Sequence, residues 1–306
     1  MASVVAVDGL RKTIGGTTAL AGVSFEVSAG EMFGVIGPDG AGKTTTMRAV
    51  CGLLSPDGGT VRVFGADPFR ERRKAAASIG YVSQRFTLYG DLSIDENVEF
   101  FARIHGVHDF ASRRSRLLAL TGLEPFRGRL ASKLSGGMKQ KLALACTLVH
   151  EPPILVLDEP TTGVDPVSRR EFWKLLAEFT GQGLTIVFAT PYLDEAERCH
   201  RVALIAGGRL LALDAPGRLQ EAAPGALVEI VASPIRRALE VVRTAIGADR
   251  VQLFGDRLHV RLGDEREYPP VARALGDAGI DVAAWRVIPH TLEDVFIDRL
   301  AQENPS

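Results

Sequence analysis

The stretch Gly37-Pro38-Asp39-Gly40-Ala41-Gly42-Lys43-Thr44 decides how this chain is read. It has the spacing G-x-x-x-x-G-K-T, follows the short apolar run Phe33–Ile36, and opens a helical stretch, Thr44–Cys51, that Gly52 closes. Glycines at these positions let the backbone turn its N–H groups inward around phosphate oxygens. The start of the following helix adds a favourable dipole for anions. In that geometry Lys43 would bridge the last two phosphates of a nucleotide and Thr44 would ligate Mg²⁺. Thr45 completes the expected phosphate-binding set of residues 37–45.

Outward from this loop, Ile154–Leu157 and Thr185–Ala189 are further apolar runs of the kind that form strands buried on both faces, with helical patterns between them such as Ser168–Thr180. The expected fold class is therefore α/β with a mainly parallel sheet. Val4–Val7, Thr18–Val27 and Val61–Phe64 alternate and carry turn signals, predicting an antiparallel sheet beside that core. Ile94–His105, Ser112–Leu120 and Met138–Val149 read as helices. The character changes after about Gln220: all seven lysines lie at or before Lys174, and Ala222-Ala223-Pro224-Gly225 reads as a linker. The remainder runs strand (Ala226–Ala232), helix (Pro234–Ile246), strands (Arg250–Phe254, Arg257–Leu262), helix (Tyr268–Asp277), strand (Asp281–Val287). That order suggests a small α+β, ferredoxin-like domain over 226–306, after a first domain over 1–221. A last helix opens at Thr291-Leu292-Glu293-Asp294, a start resembling a capping box.

The strand Ile154–Leu157 ends in Asp158 and Glu159. As a hard oxygen ligand Asp158 suits Mg²⁺, and Glu159 beside the terminal phosphate could take a proton from an attacking water. The 306 residues carry 36 basic and 37 acidic side chains, a balance that argues against nucleic-acid binding by bulk charge. Cys51, Cys146 and Cys199 lie far apart without a CxxC pair, as expected of buried structural thiols in a reducing compartment. No signal peptide is expected at the N-terminus, and no apolar run reaches the roughly 20 residues that span a bilayer.

These motifs, in this order, resemble the ATP-binding cassette (ABC) ATPases over about residues 1–220. Leu134-Ser135-Gly136-Gly137-Met138-Lys139-Gln140 looks like the family signature, Gln84 like the Q-loop glutamine, and Gly163-Val164-Asp165-Pro166 like the D-loop. The resemblance implies a P-loop NTPase cassette with a parallel-sheet core, an antiparallel β subdomain and a helical subdomain. It implies ATP and Mg²⁺ as cofactors, with Thr44, Gln84 and Asp158 at the metal and Glu159, Gln84 and Lys43 as the catalytic set. Ser135, Gly136 and Gly137 would offer a hydroxyl and bare N–H groups at a helix start, a second anion site. In the family's geometry that site serves a nucleotide held by another cassette, which implies a head-to-tail dimer, with an identical copy or a second gene product.

Two positions depart from the family pattern. Thr190-Pro191-Tyr192 puts a proline where the family usually has a histidine contacting the γ-phosphate, and proline has neither a side-chain donor nor an N–H. Loss of one transition-state donor costs roughly 10²–10³ in rate, so slow hydrolysis, or reliance on a partner cassette, is expected. His200 is nearby but at the wrong position and is expected to be structural. Ile14-Gly15 replaces the family's aromatic adenine platform; Ile14 can pack on a base but loses stacking worth about 1–3 kcal/mol, so base selectivity should be loose.

The stretch after Gln84 resembles the surface that faces the membrane partner in transport cassettes, with Phe86, Leu88 and Tyr89 as apolar contacts. The tail Thr291–Ile297 resembles cassettes of drug exporters of the daunorubicin-resistance type. The expected role is the ATP-hydrolysing subunit of an exporter, peripheral on the inner face of the cell membrane, cytoplasmic, and partnered by a polytopic permease, with no nucleic acid. A soluble nucleotide-gated ABC regulator or resistance protein with little turnover is the alternative that Pro191 sustains.

Overall fold

The computed structural model describes residues 3–84 and 88–303. The chain divides into two compact units, Met1–Pro216 and Gly217–Ser306. The division falls a few residues before the expected boundary at 221, so the linker expected at 222–225 lies inside the second unit.

The first unit is built on a six-stranded sheet. Its strands lie in the order Ile79–Val82, Ile154–Asp158, Thr185–Thr190, Met32–Ile36, Arg201–Ala206 and Arg209–Asp214. The first five are parallel and the last is antiparallel. Every residue of Met32–Ile36, Ile154–Asp158 and Thr185–Thr190 is buried, as continuous apolar runs covered on both faces should be. The register aligns Asp158 with Ala189 and Ile36 with Thr190. The phosphate loop, the acidic pair and the Pro191 segment therefore all leave the sheet at neighbouring carboxyl ends, where ligands of open α/β sheets bind.

The antiparallel sheet of the first unit has Ser3–Ile14 at its centre, between Thr17–Ser28 and Gly58–Val63. The helices Ile94–Ile104, Ala111–Leu120 and Gly136–Leu148 form the helical part. The first of them opens on a complete capping box, Ser93 accepting from the Glu96 N–H and the Glu96 carboxylate from the Ser93 N–H. Two strands escaped the sequence reading, Arg201–Ala206 and Arg209–Asp214. The apolar run Val202–Ile205 followed by the Gly207-Gly208 turn is the signal that could have found them.

The second unit is a four-stranded antiparallel sheet in the order Val251–Phe254, Arg257–Leu262, Ala226–Ser233, Asp281–Ile288. With helices Ile235–Ile246 and Tyr268–Asp277 between the strands, this is a βαββαβ arrangement with its own core of Val228, Ile230, Val242, Val260, Val271 and Leu275. The Thr291–Asp294 start is capped in both directions, the Thr291 N–H donating to Asp294 Oδ2 and the Asp294 N–H to Thr291 Oγ1. Cys146 and Cys199 are buried and Cys51 half-buried; burial pushes all three thiols far above the usual cysteine range.

Phe188 is fully buried on the central strand and meets Trp173 edge-on at 4.7 Å between ring centroids. The two tryptophans lie one in each unit. Phe188→Ala should destabilise the first unit by about 3–5 kcal/mol. Urea unfolding followed by Trp173 emission in a Trp285→Phe background checks this; an unchanged midpoint would contradict the packing described.

Candidate active site

Gly42 is in the left-handed region at φ 102° and caps the helix Lys43–Val50. A Cβ there would lie 2.6 Å from the Ala19 carbonyl oxygen, and one on Gly37 would lie 2.1 Å from that of Ile205. Both positions therefore require glycine for space, and Gly42 for conformation as well. Pro38, Asp39 and Gly40 are exposed while Ala41 is buried, so the loop presents its crest and anchors its floor.

Lys43 is buried, 4% exposed. Its ammonium donates to the carbonyls of Gly37 at 2.9 Å and Pro38 at 3.0 Å, and lies 3.3 Å from Glu159 Oε1. A buried charge needs such partners. Thr44 Oγ1 donates to Asp158 Oδ1 at 3.0 Å. Gln84 Nε2 donates to Glu159 Oε2 at 2.9 Å, and Thr162 Oγ1 donates to the same oxygen at 3.3 Å. Lys43, Thr44, Gln84, Asp158 and Glu159 thus form one cluster, assembled from three segments. Glu159 holds a left-handed backbone, φ 50°, with its N–H bonded to the Ala189 carbonyl at 2.9 Å. Such a conformation costs about 1–3 kcal/mol in a non-glycine residue and is typical of functional sites.

Burial raises the Asp158 carboxyl above the ordinary range; the Thr44 hydroxyl opposes this and the neighbouring Glu159 charge adds to it. Tyr81, which sequence reading did not single out, donates its hydroxyl to Asp158 Oδ2 at 3.4 Å, and its own pKa is pushed up by burial and by Asp158. The oxygen atoms of Thr44 and Asp158, side by side, are a donor set of the kind a hard divalent cation takes when substrate phosphates supply its other ligands.

The signature residues do not join this cluster. Ser135 caps the helix Gly136–Leu148, accepting from the Met138 N–H at 3.3 Å, so both glycines lie in its first turn. Ser135 and Gly136 are exposed and Gly137 is buried. A Cβ on Gly137 would come within 2.5 Å of Ser168, so the signature packs on the start of helix Pro166–Gly181, just past the D-loop. Ile14 ends the first strand half exposed, at 50%. Tyr89 is exposed and stacked edge-on with Phe100 at 4.4 Å, and Leu88 is half-buried; Phe86 lies outside the described residues. Asn97, fully buried, fixes this stretch by bonding both the N–H and the carbonyl of Tyr89. His200 accepts the Met32 N–H through Nδ1 at 3.0 Å, a structural bond.

Sequence reading also missed Glu195. It is 1% exposed and accepts from the hydroxyls of Thr161 and Thr190, from Arg169 Nε at 2.7 Å and from Trp173 Nε1 at 3.0 Å. Arg169 also binds Asp194 at 2.8 Å and lies over the Tyr192 ring, 4.5 Å from its centroid. The Asp194-Glu195 pair was visible in the sequence, but three of the four donors to Glu195, from Thr161, Arg169 and Trp173, come from distant positions that no local pattern links to it.

A phosphate loop, a metal-suited Thr–Asp pair and a carboxylate beside the lysine together define a P-loop nucleotide-binding site. The chain matches the ABC transporter family over residues 20–162. It is 41% identical over 309 residues to the probable multidrug ABC transporter ATP-binding protein YbhF of Escherichia coli, covering 97% of this chain and 52% of that protein. It therefore spans about half the length of that relative. It is 37% identical over 299 residues to the Nod factor export ATP-binding protein I of Paraburkholderia xenovorans, covering 97% of this chain and 96% of the other. Among solved structures, a cbiO1 protein of Clostridium perfringens, part of an ABC transporter complex, matches with TM-score 0.66 and 27% identity over 80% of this chain and 96% of that one. A bacterial ABC transporter cassette solved as a dimer matches with TM-score 0.62 and 26% identity over 69% of this chain and 98% of that one. The chain belongs to the ATP-binding proteins of the ABC transporter family.

Because folding raises the Asp158 pKa, its ionised form destabilises the folded state above that pKa, and the penalty is relieved as pH falls through it. Asp158→Asn removes the penalty. It should raise the melting temperature of nucleotide-free protein by a few degrees at pH 7, with the gap to wild type narrowing as pH falls through the raised pKa. An equal melting temperature at pH 7 would contradict this.

Proposed function

We propose that this chain binds ATP with Mg²⁺ and hydrolyses it to drive export through a separate membrane permease. The observation that carries this is the Lys43–Glu159–Gln84 cluster beside the Thr44–Asp158 pair. The loop N–H groups and Lys43 would hold the phosphates, drawing the ammonium from the Gly37 and Pro38 carbonyls. Thr44, Asp158 and Gln84 would hold Mg²⁺, which offsets phosphate charge. Gln84 and Thr162 orient the Glu159 carboxylate, which takes the proton as water attacks the γ-phosphorus and ADP leaves.

Several observations support the wider reading. No helix among the described residues is long and apolar enough to cross a membrane, so a permease on another chain fits. The relatives are named for multidrug and Nod factor export. Exposed Tyr89 and half-buried Leu88 offer that permease a contact on the cytoplasmic side of the membrane. The exposed signature start fits a second cassette, identical or homologous, whose nucleotide it would complete. Pro191 offers no donor to the nucleotide that this chain's own phosphate loop would hold, which favours slow turnover.

Lys43→Ala should abolish nucleotide binding, and Glu159→Gln should abolish turnover while leaving binding intact. Pro191→His should raise kcat, by up to roughly 10²-fold if the missing donor limits the rate. A phosphate-release assay with equilibrium nucleotide binding reads all three. Full activity of Lys43→Ala would refute the site. A fast wild type that Pro191→His leaves unimproved would refute the reading of the proline, and a wild type that binds ATP without turnover would favour a nucleotide-gated regulator.

A further inference from the structure

We infer that Glu195 is a positioning residue that holds the Glu159 loop and the Pro191 segment in register with each other; its kinetic consequence rests on the ATPase reading above. The carboxylate is almost completely buried, and a charge in that position is tolerated only when paired and hydrogen-bonded. Oε1 takes the Thr161 hydroxyl, Arg169 Nε and the Trp173 indole; Oε2 takes the Thr190 hydroxyl. These donors sit on three segments, and each of the segments borders the site.

Thr161 lies two residues past Glu159 in the loop that folds back on it. Within that loop the Thr162 N–H donates to the Glu159 carbonyl and the Thr162 hydroxyl to the Glu159 carboxylate, each at 3.3 Å. The left-handed backbone of Glu159 needs surroundings that over-determine it, and the bond from Thr161 to Glu195 is the loop's buried side-chain anchor. Thr190 ends the central strand. Its carbonyl accepts the Gly37 N–H at 3.4 Å and its hydroxyl accepts the Tyr192 N–H at 3.2 Å, so fixing Thr190 also fixes the turn through Pro191 and touches the phosphate loop. Arg169 and Trp173 belong to helix Pro166–Gly181, whose start packs on the signature glycine Gly137. One carboxylate therefore ties the base-bearing loop to the Pro191 segment and to the helix that carries the D-loop's end. In this chain Pro191 has neither a side-chain donor nor an N–H to bring to a phosphate, and the contribution of its segment to the reaction is this anchorage.

The test is a comparison of wild type, Thr161→Val, Glu195→Gln and the double variant in steady-state ATPase and nucleotide-binding assays. Valine keeps the threonine's shape, so Thr161→Val removes one hydroxyl bond without emptying the site. A misplaced base should lower kcat about tenfold or more in each single variant, with nucleotide affinity and melting temperature close to wild type in Thr161→Val. Because Thr161 acts through its bond to Glu195, the double variant should be no slower than Glu195→Gln alone. Hydrogen exchange of nucleotide-free protein gives a readout independent of turnover: Glu195→Gln should speed exchange in both 161–165 and 190–193, leaving strand Met32–Ile36 unchanged. A kcat within twofold of wild type, additive losses, or unchanged exchange in the two loops would overturn the inference. A wild type without turnover would overturn the ATPase reading alone, and the exchange result would then decide the role of Glu195.

Discussion

The hydrogen bond from Thr44 to Asp158 joins residues 114 positions apart, and the site depends on it. It forms because two parallel strands, Met32–Ile36 and Ile154–Asp158, flank a third and end at the same level. The sheet is buried on both faces, so a slip in register would move apolar side chains and the acidic pair together. The same constraint sets Lys43 beside Glu159 at 3.3 Å, where each charge helps to make burial of the other tolerable. Glu159 follows in a left-handed conformation, with its carboxylate between Lys43 and Gln84.

Much of this was legible in the sequence because it is local. The phosphate loop declares itself by spacing, and its strand and helix by the apolar pattern on either side. In the second unit, Arg257–Leu262 and Tyr268–Asp277 fall where alternation and helical periodicity put them. What was not legible depends on distance. Arg209–Asp214 is a half-buried edge strand whose pattern is weak until it is paired with Arg201–Ala206. The helix of the signature begins two residues earlier than apolar periodicity suggests, because Ser135 supplies the cap and glycines carry no hydrophobic signal. Glu195 looks like one acid among several in Asp194–Glu197, and only the fold shows that Thr161, Arg169, Trp173 and Thr190 converge on it.

Under the proposed reading the departures at Ile14 and Pro191 sit at opposite ends of the nucleotide, and the polar contacts of Lys43 and Glu159 described above involve neither. The groups proposed to carry the chemistry are all present, while two peripheral contacts would be reduced. Such a cassette would keep the proposed reaction but rely more on how firmly its remaining groups are held, which is the role we infer for the buried contacts around Glu195.

The central claim is that the phosphate loop and the Thr44–Asp158 pair together bind a metal–nucleotide complex. Thermal denaturation of the wild type with ATP, in the presence of Mg²⁺ or of EDTA, tests it most directly. A ligand that binds only the folded state stabilises it by about 2.7 kcal/mol at a hundred times its Kd. The account predicts a rise of several degrees with Mg²⁺ and ATP together, a much smaller rise with ATP and EDTA, and none with Mg²⁺ alone. No rise with Mg²⁺ and ATP, or an equal rise with EDTA, would contradict it.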